Sequence, residues 1–85
     1  MQSVMSKNEN LIDRITTNPE INFGKPTIRN TRYAVAFILE YMAGGDTPED
    51  ILKEFPDLQK EDILACLAYA VACIKAKDII NPLNH

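Results

Sequence analysis

The densest chemistry in the 85-residue sequence is the run Arg29-Asn30-Thr31-Arg32, with Lys25 four residues upstream of Arg29. A guanidinium is planar, permanently charged and forked, so it takes a phosphate or carboxylate through two parallel hydrogen bonds. Two of them projecting from a tight reversal would form a recognition point for such anions. Asn30 suits the reversal, because Asn tolerates positive φ better than most residues. Gly24, Pro26 and Thr31 shape the chain around it. The plain alternative is a solvated basic loop.

Little else in the chain points to chemistry. The single histidine is His85, the final residue, where no framework would order an imidazole base. There is no Gly-rich phosphate cradle, no metal-ligand spacing and no nucleophile set beside a base. The expectation is therefore no enzyme, no catalytic residue, no metal and no cofactor. The acidic pairs Glu49/Asp50 and Glu61/Asp62 each open an expected helix, where carboxylates stabilise exposed N–H groups rather than a cation. Cys66 and Cys73 fall in one expected helix, about 10 Å apart at 1.5 Å per residue. That is too far for a disulfide, which needs less than about 7 Å. Both are expected as reduced thiols acting as small buried hydrophobes.

The elements that must position the basic turn follow from periodicity. Residues 1–10 are polar and aperiodic, and read as a flexible arm. Residues 11–34 hold short β-pieces: a β-branched stretch at 11–17, a break at Asn18-Pro19, a turn at Gly24-Lys25-Pro26 and an extended Thr27-Ile28-Arg29. From Val35 the period turns helical. Val35, Ile38, Leu39 and Met42 share one face of a helix over 35–43, which Gly44-Gly45 stops. A second helix over 48–55 has Thr47 as N-cap and Pro48 at its first position, with Ile51, Leu52 and Phe55 on its apolar side. A third runs over 60–77. Its expected buried stripe is Leu64, Leu67, Ala68 and Val71, widened by Ile63, Ala70 and Ile74. Its first turn is acidic and its last turn basic, matching the macrodipole. A tail fills 79–85. The expectation is one domain over 11–78.

A short helix joined through residues 56–59 to a longer one is a helix-turn-helix pattern. In DNA readers the start of the second helix meets base edges. Here that start is Gln59-Lys60-Glu61-Asp62, in which only Lys60 offsets two carboxylates facing phosphate. The formal charge is −3. Residues 1–32 carry five basic and three acidic groups (+2), and residues 33–85 four basic and nine acidic (−5). The overall balance lacks a nucleic-acid-binding footprint, and only the N-terminal third offers a cationic surface. No apolar run reaches the roughly 18–20 residues of a membrane span, and residues 1–10 lack a signal-peptide core. The expected location is the cytoplasm.

Several stretches together resemble the DUF433 family, a domain of unknown function. They are Arg14-Ile15-Thr16, Asn18-Pro19-Glu20-Ile21 and Gly24 through Arg32, then Gly44 through Leu52, Phe55-Pro56-Asp57-Leu58, Glu61-Asp62-Ile63 and Ala65 through Ala70. The sequence departs from that pattern at Phe23, where Gly is common, at Asn30, where Gly is usual, and at Tyr33-Ala34, where an aliphatic residue and Pro are usual. The resemblance implies a mainly α fold: a homeodomain-like three-helix (helix-turn-helix) core preceded by short N-terminal β-strands. It also implies an antitoxin-like role beside a PIN-like ribonuclease toxin, with repression of the protein's own promoter as a further capacity. A PIN-like nuclease carries an acidic metal site, so a basic turn of Lys25, Arg29 and Arg32 is expected to occupy it. The alternatives are a DNA-binding regulator, using Lys60 and the helix-turn-helix or the same basic turn on phosphates, and a dimeric scaffold. A homodimer is expected, paired through strands of residues 11–34, because such short strands leave open edges.

Overall fold

A computed structural model describes residues 11–80. The expected arm at 1–10 and the tail from 81, with His85, lie outside the described residues.

Two short strands open the fold. β1 (Ile15–Thr16) and β2 (Thr27–Ile28) run antiparallel, with Ile15 opposite Ile28 and Thr16 opposite Thr27. Ala34 bridges Thr27 on the other side of β2. The β-branched stretch expected at 11–17 is trimmed: residues 11–12 are helical, and the Arg14 N–H donates to the Leu11 carbonyl at 2.9 Å. Strands this short are not stable alone. These are held because Ile28 is fully buried and Ile15 packs on the same core.

Three helices follow. α1 (Val35–Ala43) occupies the expected residues and has no side-chain cap at Ala34. Its entry is set instead by the Val35 N–H donating to the Pro26 carbonyl at 3.0 Å. It ends in a Schellman motif: the Gly45 N–H reaches the Met42 carbonyl and the Asp46 N–H the Tyr41 carbonyl. Gly45 has φ +112°, which requires glycine. α2 (Pro48–Glu54) is one residue shorter than expected, because Phe55 leaves the helix ahead of Pro56. A full capping box closes its start, with the Asp50 N–H donating to Thr47 Oγ1 at 3.1 Å and the Thr47 N–H to Asp50 Oδ2 at 2.9 Å. Thr47→Ala is expected to lower stability by about 1 kcal/mol, measured by urea melting; an unchanged midpoint would show that the box contributes nothing.

α3 (Lys60–Ile80) continues three residues beyond the expected Lys77. Among the described residues no helix is long and apolar enough to cross a membrane. The core is Ile28, Val35, Ile38, Ile51, Leu58, Ile63 and Cys66. This corrects the expected face of α3. Ile63 is buried as expected, but Leu64, Leu67, Val71 and Ile74 are 40%, 42%, 50% and 60% exposed. The face turned inward carries Asp62, Ile63, Cys66 and the half-buried Tyr69. α3 is apolar on two sides, and periodicity alone does not choose between them.

Candidate functional site

The choice of face is made by a carboxylate. Asp62 is 0% exposed. It stands at the third position of α3, where its Oδ2 accepts the Gln59 N–H at 2.8 Å and so closes the helix start. Arg29 grips it from β2's end through two parallel bonds, Nε to Oδ1 at 3.0 Å and Nη2 to Oδ2 at 2.8 Å. Arg14, just before β1, adds Nη1 to Oδ1 at 2.9 Å and also reaches Gln59 Oε1. The sheet delivers both arginines to one point, because Arg29 N–H donates to the Arg14 carbonyl at 2.7 Å. Burial pushes the Asp62 carboxyl up, but the bonds from Arg29, Gln59 and Arg14 together outweigh it and hold the group below the usual carboxylate range. The same Asp62 hydrogen bonds raise the Arg29 guanidinium above its ordinary value, against a smaller opposing effect of burial.

Arg29 therefore does not project freely from the turn, as the sequence had suggested. Its fork is spent on Asp62, and its Nη2 also lies 3.4 Å from the Asp57 carbonyl. The reversal itself is built as expected around Asn30. Arg29 and Asn30 have φ of +47° and +59°. Thr31 pins the turn, its N–H and its Oγ1 both donating to the Ile28 carbonyl at 2.8 and 2.6 Å. The Asn30 N–H is taken by Thr16 Oγ1 at 2.8 Å.

Arg32 is exposed, with its guanidinium carbon 5.7 Å from the centre of the Tyr33 ring. Lys25 and Lys60 are also exposed, and neither has an ion-pair partner among the described residues. Gly24 has φ +79° and completes a left-handed run with Asn22 (+53°) and Phe23 (+59°). Phe23 thus sits in a conformation that favours glycine, and the residue is 93% exposed. Pro26 caps the entry to α1 and also lines a groove.

That groove lies between the start of α1 and the C-terminal half of α3. It encloses about 370 Å³ and is lined by Pro26, Leu39, Tyr69, Cys73 and Ile74, with Lys25 at its edge. Sequence reasoning missed it. Its walls come from segments distant in the chain, and its one local signal, Cys73, was expected in the core.

The two cysteines differ in kind. Cys66 is buried, and burial with the nearby Asp62 charge pushes its thiol up to about 12. Cys73 is exposed on the groove, which corrects the expectation that both are packing residues. Because the thiolate is the reactive form, a maleimide should label one site per folded chain at pH 7.5, Cys73, and the second only after denaturation. Equal labelling of both in the native protein would show that Cys66 is not enclosed. Cys66→Ala should lower stability by about 1 kcal/mol and Cys73→Ala by less than about 0.5 kcal/mol.

Comparison with known proteins places this geometry. The family model "Protein of unknown function (DUF433)" matches residues 15–70, a span that contains β1, the basic turn, Asp62 and Cys66. No curated protein matches the chain. Among solved structures, the chain is similar to a crystal structure of a DUF433 member protein from Anabaena variabilis ATCC 29413. The two are 26% identical with a TM-score of 0.69, over 91% of this chain and 76% of that one.

Proposed function

The chain belongs to the DUF433 family, and we propose that it is a non-enzymatic binding module: an antitoxin-like protein that holds a PIN-like ribonuclease. The observation that carries this reading is the Lys25-edged apolar groove between α1 and α3. An apolar cleft takes up a partner's hydrophobic side chain, which supplies most of the attraction. A free ammonium at its edge then selects a partner that sets a carboxylate beside that side chain. An acidic nuclease metal site supplies such carboxylates. With Arg29 committed to Asp62, the cations available to a partner are Lys25 and Arg32 rather than the whole cluster.

The test is a pull-down of the full chain from native lysate with mass spectrometry, followed by titration of the co-purified protein. A nuclease bearing clustered carboxylates should appear. Its affinity should fall at least tenfold, or about 1.4 kcal/mol, with Lys25→Glu, and again when Cys73 is alkylated, while the circular dichroism spectrum stays unchanged. A partner indifferent to both changes would overturn the assignment. Specific retention of DNA from upstream of the gene, with a steep salt dependence, would instead favour the DNA-binding regulator. Neither ligand would leave the dimeric scaffold.

A further inference from the structure

The exposed apolar face of α3 is distinct from the groove, apart from Ile74 at their border, and the sequence around it says what covers it. Leu64, Leu67, Val71 and Ile74 are spaced three, four and three residues apart, the a/d pattern of a helix that packs on another helix. We propose that this face binds a second copy of the chain, with the two α3 helices antiparallel.

The direction follows from charge. With Leu64 and Val71 at a and Leu67 and Ile74 at d, the flanking e positions are Glu61, Ala68 and Lys75. In an antiparallel pair, a residues pack against d residues and e faces e. Leu64 of one copy then lies against Ile74 of the other, and Leu67 against Val71. The two Ala68 residues meet near the two-fold axis and let the helices approach closely. On either side of them, Glu61 of each copy faces Lys75 of the other. Glu61 and Lys75 are both exposed in the single chain and have no ion-pair partner among the described residues. In a parallel pair e faces g instead, so Lys75 of one copy would meet Ala70 of the other and Glu61 would meet no opposite charge. The antiparallel arrangement also sets each helix's positive end beside the other's negative end. The seam covers residues 64–74, about 15 Å at 1.5 Å per residue. That places it at the small end of specific interfaces, below about 1,200 Å² in total, and the association should be micromolar.

Sedimentation equilibrium of the full chain from about 1 to about 300 μM, the range in which such small interfaces titrate, tests the proposal. The wild type should pass from 9.6 kDa to twice that mass. Leu67→Glu should remain monomeric throughout, with an unchanged circular dichroism spectrum, because Leu67 is not part of the core. Glu61→Lys and Lys75→Glu should each weaken dimerisation about tenfold, and the double exchange should restore it. A monomer at every concentration would overturn the proposal. So would a dimer that survives Leu67→Glu, which would place the contact elsewhere, as pairing through the β-strands would. Failure of the double exchange to restore affinity would overturn the antiparallel direction.

Discussion

Arg29→Ala will lower the stability of the fold by about 3 kcal/mol, the low end for breaking a buried ion pair by removing one partner. The loss falls on the residue left behind. Asp62 is fully buried, and without Arg29 it keeps only Arg14 and the Gln59 N–H. Arg29 itself is 39% exposed on its side chain, so its own solvation is a minor part of the change. Arg32→Ala, three residues on, removes an exposed side chain with no ion pair among the described residues and should shift stability by less than about 0.5 kcal/mol. Arg29→Lys should recover only part of the loss, because a single ammonium cannot make the two parallel bonds. Asp62→Asn should be destabilising as well. Combining it with Arg29→Ala should cost less than the sum, since the two residues share one interaction.

The same pair sets an acid limit. The Asp62 carboxyl is held below its ordinary value in the folded chain, so the unfolded chain binds its proton at a higher pH than the folded one. The stabilisation is fully present above the unfolded value, about 3.9, and is lost as pH falls through the folded value. Removing Arg29 raises the folded value, shrinks this difference and moves acid unfolding to higher pH. Urea melts at pH 7, 5 and 3 read both effects. An Arg29→Ala protein as stable as the wild type at pH 7, with the same acid limb, would mean that the clamp contributes nothing.

The second large effect separates neighbouring residues of α3. Ile63→Ala should cost about 2–5 kcal/mol, because Ile63 is 1% exposed and its loss leaves a cavity. Leu64→Ala, one residue on and 40% exposed, should cost less than about 1 kcal/mol in the monomer, measured at submicromolar concentration where association does not contribute. The reverse order would show that α3 is rotated with its leucine stripe inward, the arrangement that its periodicity suggested.

Some features of this chain rest on interactions within a few residues, and these are legible before any fold is known. Thr47-Pro48 and Asp50 start α2 and Gly44-Gly45 ends α1, each through bonds to near neighbours, and Asn30 turns the chain after β2 by taking a positive φ. Three helices behind a short two-stranded sheet follow from such signals and from hydrophobic period. The family pattern across the same residues carried the fold, but it could not show which of its charges face water.

The rotation of α3 was decided at longer range. Its sequence offers one apolar face on Leu64, Leu67, Val71 and Ile74 and another on Ile63, Cys66 and Tyr69. A reader of hydrophobicity prefers the first, because the second includes Asp62. A carboxylate is costly to bury alone, so Asp62 reads as a solvent-facing helix-start residue. It becomes a core residue only because β1 and β2 bring Arg14 and Arg29 to it across 48 and 33 residues of chain. That pairing turns the basic cluster from a free recognition point into a clamp. It also turns the leucine stripe out of the core. Both outcomes depend on which side chains meet in three dimensions, and neither periodicity nor local spacing encodes that meeting.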